Sequence, residues 1–323
     1  MTKISPIATA NRACTLLYSY ISQYSKGTYL LPVNVCPDVP LTFCLANVSF
    51  EFVDIDEKTL CINKSACLNK IRKNIGKYQG IVFVRTYGFL DNASDFFDTL
   101  HSESPDLRII DDRCLCIPDI NADMQGADML LYSTGHCKQI DLGKGGLAVF
   151  RNAESYKIEK NVLYDGTDEV AIYKEAFSSN KPFDRIPSGW LCLDYLDISL
   201  DTYLSQIENY SIERNLCRDK LNEIYKTHLP ESIQLPNEYQ NWRFNISVDL
   251  SLKDMILKKI FESNLFASSH YNSANRLFNY DIYSNSERLH SRVINLFNDK
   301  YYSEDKALRT CEIINNIVNE YSF

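Results

Sequence analysis

The chain contains no CxxC pair, no internal repeat, no low-complexity tract and only 11 glycines among 323 residues. It also lacks an uninterrupted apolar run of the ~20 residues needed to cross a bilayer. Each absence removes a class of protein. Its 11 cysteines are scattered, Cys114 and Cys116 being the closest pair, so zinc-ligand spacing is missing and no metal site is expected. Met1 to Pro6 leads into no apolar signal core, which makes a reducing cytoplasm the simpler setting for so many thiols. A basic surplus is missing too. Lys and Arg number 34 against 42 Asp and Glu, and the net charge of −8 argues against nucleic acid as the main partner while leaving room for a small anion held locally. With 45% hydrophobic and 24% charged residues the composition is globular, and the length favours two domains or one large domain with an appendage.

Short apolar, β-rich runs recur in the first half: Thr28–Pro32, Val48–Val53, Gly80–Val84, Leu107–Ile110, Met129–Tyr132 and Leu147–Phe150. Arg12–Tyr24 places Leu16, Leu17, Tyr20 and Ile21 at helical spacing, and Leu68–Lys77 and Asp91–Ser102 separate strands as helix-capable stretches. Strands buried on both faces of a mainly parallel sheet read this way, so the first half is expected to be α/β. Ser178–Pro182 and Pro187–Gly189 mark a junction, giving a large domain over 1–185 and a smaller α+β domain over 186–323. In the latter, Tyr195–Lys226, Asp254–Glu262 and Ser303–Tyr321 read as helices and Asn241–Val248 as a strand.

One stretch carries chemistry. Leu131 to Gly146 (LYSTGHCKQIDLGKGG) sets Lys138 among small and hydroxyl-bearing residues after an apolar run. Upstream, Ile109–Asp112 closes another such run on two carboxylates. An imine-forming amine, an acid for a pyridine nitrogen and donors for a phosphate are what pyridoxal 5′-phosphate (PLP) requires of a protein. Lys138 suits the first role. Asp112, at the carboxyl end of a strand, suits the second, with Asp111 facing the other way. Ser133 offers a hydroxyl to the phosphate, and Thr134 and Gly135 let backbone N–H groups approach it. Singly each signal has a plainer meaning: a solvated lysine, a turn or helix cap at Asp-Asp, a hairpin at Gly145-Gly146. Their order along the chain is what joins them.

These residues resemble the DegT/DnrJ/EryC1/StrS family of sugar aminotransferases. Phe50–Asp56 resembles the family's "FVDID"-like strand, Arg85–Gly88 its "H-x-Y-G" turn, Ile109–Asp112 its "I-E-D" strand end, and Ser133–Gly146 its lysine loop. Trp242–Phe244, Ser269–Tyr271 and Val293–Asp299 resemble later family segments. The resemblance implies the α/β fold-type-I architecture of PLP-dependent transferases, with a mainly parallel seven-stranded sheet sandwiched by helices and a smaller α+β C-terminal domain. It implies Lys138 and Asp112 as catalytic and PLP-binding residues and Ser133 as a phosphate ligand. Asn11 and Arg12 stand where the family begins its phosphate-binding helix, a position whose free N–H groups attract anions. Cys36 stands where relatives stack an aromatic ring on the cofactor, and His270 and Tyr271 become candidates for contact with sugar or diphosphate.

The implied reaction moves an amino group from a donor, glutamate by analogy, to a keto-sugar on a nucleotide, in a cytoplasmic homodimer serving surface polysaccharide or O-antigen synthesis. The chain departs from the family at Leu115, where Gln or His is usual three residues after the Asp, and Arg151-Asn152 does not match the "N-x-R" segment that reaches a neighbouring subunit's phosphate. These departures motivate a second reading, a non-catalytic relative acting as a binding or regulatory subunit. A third, a PLP-dependent sugar dehydratase, requires histidine in place of the lysine. Lys138 argues against it, although His136 lies nearby.

Overall fold

Alternation along five buried strands organises the larger unit. The computed structural model describes residues 6–24, 26–152, 195–278 and 281–321, so the expected junction at 178–189 and the boundary at 185 lie outside the described residues. Strands β1 (Ile7–Ala10), β2 (Thr28–Pro32), β3 (Phe50–Val53), β4 (Tyr78–Val84), β5 (Arg108–Asp112), β6 (Met129–Ser133) and β7 (Gly146–Phe150) form one sheet in the order β1-β7-β6-β5-β4-β2-β3. From β3 across to β6 all neighbours are parallel, and β7 runs antiparallel to both β6 and β1.

Because successive side chains point to opposite faces, each strand feeds two cores. Ile81, Phe83, Ile109, Leu130 and Tyr132 pack on one face with Phe96, Phe97 and Leu100 of α4 (Ser94–Glu103). Val82, Ile110, Met129 and Leu131 pack on the other with Leu16, Leu17 and Ile21 of α1 (Ala13–Tyr24). Helix α2 (Asp38–Leu45) joins the second face through Val39 and Phe43. Helix α3 (Lys64–Lys73) covers the first through Cys67 and Ile71, its start fixed by Asn63, whose side chain accepts from the Ala66 N–H at 2.9 Å.

Three differences from the sequence reading have local causes. Ile7–Ala10 is an edge strand whose partner lies far along the chain, Ile7 facing Val149 and Ala10 facing Gly146. Strand β7 is antiparallel, and an apolar pentapeptide carries no sign of its direction. Helix α3 starts earlier than periodicity suggested because Asn63 caps it.

The second unit is a three-stranded antiparallel sheet, β8 (Phe244–Ser247), β10 (Val293–Leu296) and β9 (Ala267–Ser269) in that order, packed by α6 (Leu250–Glu262) and α9 (Glu304–Tyr321). Helix α5 (Leu200–His228), roughly 43 Å long at 1.5 Å per residue, ties the two units together. Its Tyr203 and Ile207 enter the core of the large sheet, and its Leu221 and Tyr225 enter the core of the small one. A second tie is made by Asp54 after β3, whose carboxylate accepts from the Asn285 and Ser286 N–H groups at 3.0 and 3.1 Å, at the start of α8 (Ser284–Arg292).

At the end of β5 the alternation separates two adjacent carboxylates. Asp111 turns toward α4 and is gripped by Arg85, whose Nε and Nη2 donate at 2.7 and 2.8 Å, and by Arg113 Nε at 2.9 Å. All three side chains are buried. Asp112 turns to the opposite face. Removing one partner of a buried charge pair leaves the other uncompensated, so Arg85→Ala is expected to cost about 3–5 kcal/mol in urea-induced unfolding. A loss below about 1 kcal/mol, the level of a surface pair, would mean that Arg113 alone suffices.

Candidate active site

Open parallel sheets present ligands at the carboxyl ends of their strands. A cavity of about 500 Å³ lies there, between the ends of β5 and β6, the start of α1 and the loop before β7. Lys138, Asp112, Ser133, Asn11, Arg12, Cys36 and Tyr271 all line it. So do Cys14, Asp38, Cys114, Gly135, His136 and Gly145, none of which the sequence singled out as ligands of its own accord except the backbone at Gly135. At the departure noted above, Cys114 lines the cavity, and the carbonyl of Leu115 instead faces Gly88.

The loop carrying Lys138 is held on every side. The Asp141 carboxylate accepts from the Cys137 N–H at 2.9 Å and the Gly143 N–H at 3.0 Å, which lets Cys137 adopt φ +61°. Trp242 Nε1 donates to the Cys137 carbonyl at 2.7 Å. Thr134 Oγ1 donates to the Lys144 carbonyl and shares a 2.6 Å hydrogen bond with the Tyr203 hydroxyl of α5. The fit leaves no room at Gly145, with φ +111°, where an added Cβ would stand 2.3 Å from Thr134 Oγ1 and 2.6 Å from the Tyr203 hydroxyl.

Electrostatics couple Asp112 and Lys138, each favouring the charged form of the other. Burial pushes the Asp112 carboxyl above the usual range, opposed by the Cys114 N–H at 2.9 Å and by Lys138. Burial pulls the Lys138 amine down, but the acidic groups around it, Cys114, Cys36, Asp112 and Asp38, outweigh this and hold it above its ordinary value. Asn11 Oδ1 is buried without a hydrogen-bond partner. The start of α1 presents Ala13 and Cys14 to the cavity, pressed so closely on Gly146 that a Cβ there would lie 2.6 Å from the Ala13 nitrogen. These residues suit PLP. Asp112 lacks the cationic N–H donor that a protonated pyridine supplies, and the Ser133 hydroxyl and the N-terminus of α1 offer donors suited to a phosphate.

His270 is placed elsewhere. It does not line the cavity, and its ring is buried between the two units. Its Nε2 faces the Asn34 carbonyl at 3.0 Å, which can only accept, so Nε2 carries the proton and the Tyr87 hydroxyl donates to Nδ1 at 2.8 Å. Tyr87 stacks on Trp242 with ring centroids 6.1 Å apart, and Trp242 holds the lysine loop. His270 therefore supports the site from behind, while Tyr271, 43% exposed, faces the cavity. Sequence could not separate these neighbours, since both sit on one short irregular segment.

No protein-family profile matches the sequence, and a search of curated proteins finds no match. Solved structures match over nearly all of it. A DegT DnrJ EryC1 StrS aminotransferase from Brucella abortus is 17% identical with TM-score 0.71, over 97% of this chain and 86% of that one. DesI, solved in the presence of its TDP-sugar product, is 14% identical with TM-score 0.73, over 97% and 80%. NtdA from Bacillus subtilis, with bound cofactor PMP, is 17% identical with TM-score 0.70, over 97% and 73%. The protein is thus an α/β molecule with the fold-type-I architecture of PLP-dependent aminotransferases. Within that architecture its likeness is to the sugar aminotransferases of the DegT/DnrJ/EryC1/StrS type, and at these identities the likeness establishes the fold.

Burial pushes the His270 imidazole from 6.5 down to about 4. Between those values the unfolded chain binds more protons than the folded one, so stability is complete above 6.5 and is lost as pH falls toward 4. Denaturation midpoints measured across that window are expected to drop with pH in the wild type and to drop less steeply in His270→Gln.

Proposed function

We propose that this protein is a PLP-dependent aminotransferase that moves an amino group, with glutamate as donor, to a keto-sugar carried on a nucleotide. The observation that carries the reading is the convergence of Lys138 and Asp112 in one cavity beside the N-terminus of α1. When bound, PLP supplies an electron sink and an aldehyde carbon that amines can attack. Every other part of the chemistry belongs to the chain. Lys138 is the amine that holds the cofactor and, once displaced by the donor, carries a proton from one carbon to the other. Its acidic surroundings favour the ammonium form, so it must shed a proton before it can act as a nucleophile. Asp112 keeps the pyridine nitrogen protonated; its buried position makes that ion pair far stronger than one in water. Asn11, Arg12, Ser133 and the start of α1 bind the phosphate. Cys36 packs against the ring as a thinner surface than an aromatic would give, and Tyr271 stands at the exposed side of the cavity as a contact for the sugar or its diphosphate.

The homodimer and the role in surface polysaccharide or O-antigen synthesis belong to the same proposal and rest on the family resemblance; the cytoplasmic location rests on the scattered thiols. Among the described residues no helix is long and apolar enough to cross a membrane.

The absorption spectrum of the purified protein with PLP, before and after glutamate, tests the reading. A visible band from lysine-bound cofactor is expected in the wild type, shifting when glutamate is added, and absent in Lys138→Ala. Asp112→Asn should retain the band and lose roughly 10²-fold or more in the rate of the glutamate-driven change. A band that never responds to any amino donor would favour the non-catalytic subunit, and full transamination by Lys138→Ala would sink the assignment of the lysine.

A further inference from the structure

Three arginines are buried together where α5, the start of β8 and the turn after β10 meet. Arg214 and Arg218 are four residues apart on α5 and share a face, and Arg243 immediately precedes β8. They are 4%, 4% and 2% exposed. Among the described residues the carboxylate paired with this group is Asp299, and it is already used: Oδ2 accepts from Arg243 Nη1 at 2.7 Å and Oδ1 from the Tyr301 N–H at 3.1 Å. Among the described residues, Nε and Nη2 of Arg214, Nε and Nη2 of Arg218, and Nε of Arg243 are buried with no hydrogen bond of good geometry; the equally unpaired Tyr210 hydroxyl lies beside Arg214. Burial, then the charges of Arg214 and Arg243, push the Arg218 guanidinium down to about 9.

A fold does not bury this arrangement without compensation. Each unmade hydrogen bond keeps its desolvation cost, and three buried cations share one buried carboxylate, with the exposed Asp219 offsetting part of the excess at Arg218. A cavity of about 290 Å³ opens onto Arg218, with Arg214 and Arg243 off its wall; it is bordered by Asn222, Gln240, Asn241 and Lys226 and by the acidic Asp219 and Glu223. That volume is several times the ~30 Å³ share of a water molecule, enough for a small polyatomic anion.

We propose that Arg214, Arg218 and Arg243 form a binding site for a phosphate-class oxyanion, separate from the Lys138 cavity. Five donor nitrogens exceed what the two oxygens of one carboxylate accept, whereas a tetrahedral phosphate offers oxygens in several directions together with the negative charge that the buried cluster is short of. Guanidinium forks suit such a group better than ammonium ions do. The site lies behind the reactive loop: Trp242, next to Arg243, holds the Cys137 carbonyl. An anion there would brace that loop through Arg243, whose guanidinium lies over the Trp242 ring. Its source is either free phosphate or the diphosphate of a nucleotide.

Calorimetric titration of the full chain, saturated with PLP and held at constant ionic strength, tests this with two probes, inorganic phosphate and thymidine diphosphate. Saturable binding of at least one is expected in the wild type and in Arg12→Met, which alters only the cofactor cavity. Stronger binding of inorganic phosphate assigns the site to the free anion, and stronger binding of the diphosphate to the nucleotide. The pair variant Arg214→Met with Arg218→Met should bind on the order of 10- to 100-fold more weakly, the size of lost charged hydrogen bonds. Without probe it should melt no lower than wild type, because apolar side chains replace uncompensated charges. Arg218→Lys keeps the charge, loses the fork and should weaken binding by about tenfold, so the test does not hang on one variant folding. Absence of saturable binding in the wild type, or equal binding by the pair variant and by Arg218→Lys, overturns the proposal. Arg12→Met abolishing the binding overturns it too, since the anion would then sit in the cofactor cavity.

Discussion

A buried carboxylate in search of a cation fixes the end of β5, and the functional cavity depends on it. Asp111 lies on the α4 face of the sheet and is satisfied by Arg85 and Arg113. The Arg85 backbone also donates to the Asp112 carbonyl at 2.9 Å, tying β4 to β5 at the same level. Side chains alternate along a strand, so holding Asp111 on one face commits Asp112 to the other.

The small unit enters the site as a brace. Trp242, Tyr87 and His270 form a continuous stack from the lysine loop into the junction between the two units. Tyr203 of α5 reaches the same loop from another direction through Thr134. A loop with glycines at 143, 145 and 146 would otherwise sample many conformations. Here its backbone groups are taken by Asp141, Trp242 and Thr134, and Lys138 is delivered to one place.

The same physical rule separates structural charges from ligand-seeking ones. Asp111, Arg85 and Arg113 are buried and paired, and belong to the fold. Asp112 is buried with its carboxyl raised by desolvation, Asn11 Oδ1 has no partner, and the arginines of α5 and Arg243 retain unpaired donors. Groups of the second kind are costly until something binds, which is why the proposed cofactor cavity and the proposed anion site are drawn around them.

Much of this was legible in the chain. Strands β2 to β7 were readable because both faces of each are buried, which leaves continuous apolar runs; α1 was readable because one face is buried, which leaves a helical period. Lys138 and Asp112 stood out by residue type and order, and the alternation that parts Asp111 from Asp112 follows from strand geometry alone. The direction of β7, the edge strand β1, the separation of His270 from Tyr271 and the gathering of Arg214, Arg218 and Arg243 were not readable. Each depends on residues distant in sequence meeting in space: Ile7 with Val149, His270 with Tyr87 and Asn34, Arg218 with Arg243. Local sequence determines which backbone state a segment prefers and which chemistry it carries. Whether a charge is buried, and whether a partner awaits it there, is decided only when the chain closes on itself, because desolvation and pairing are properties of the whole packed structure.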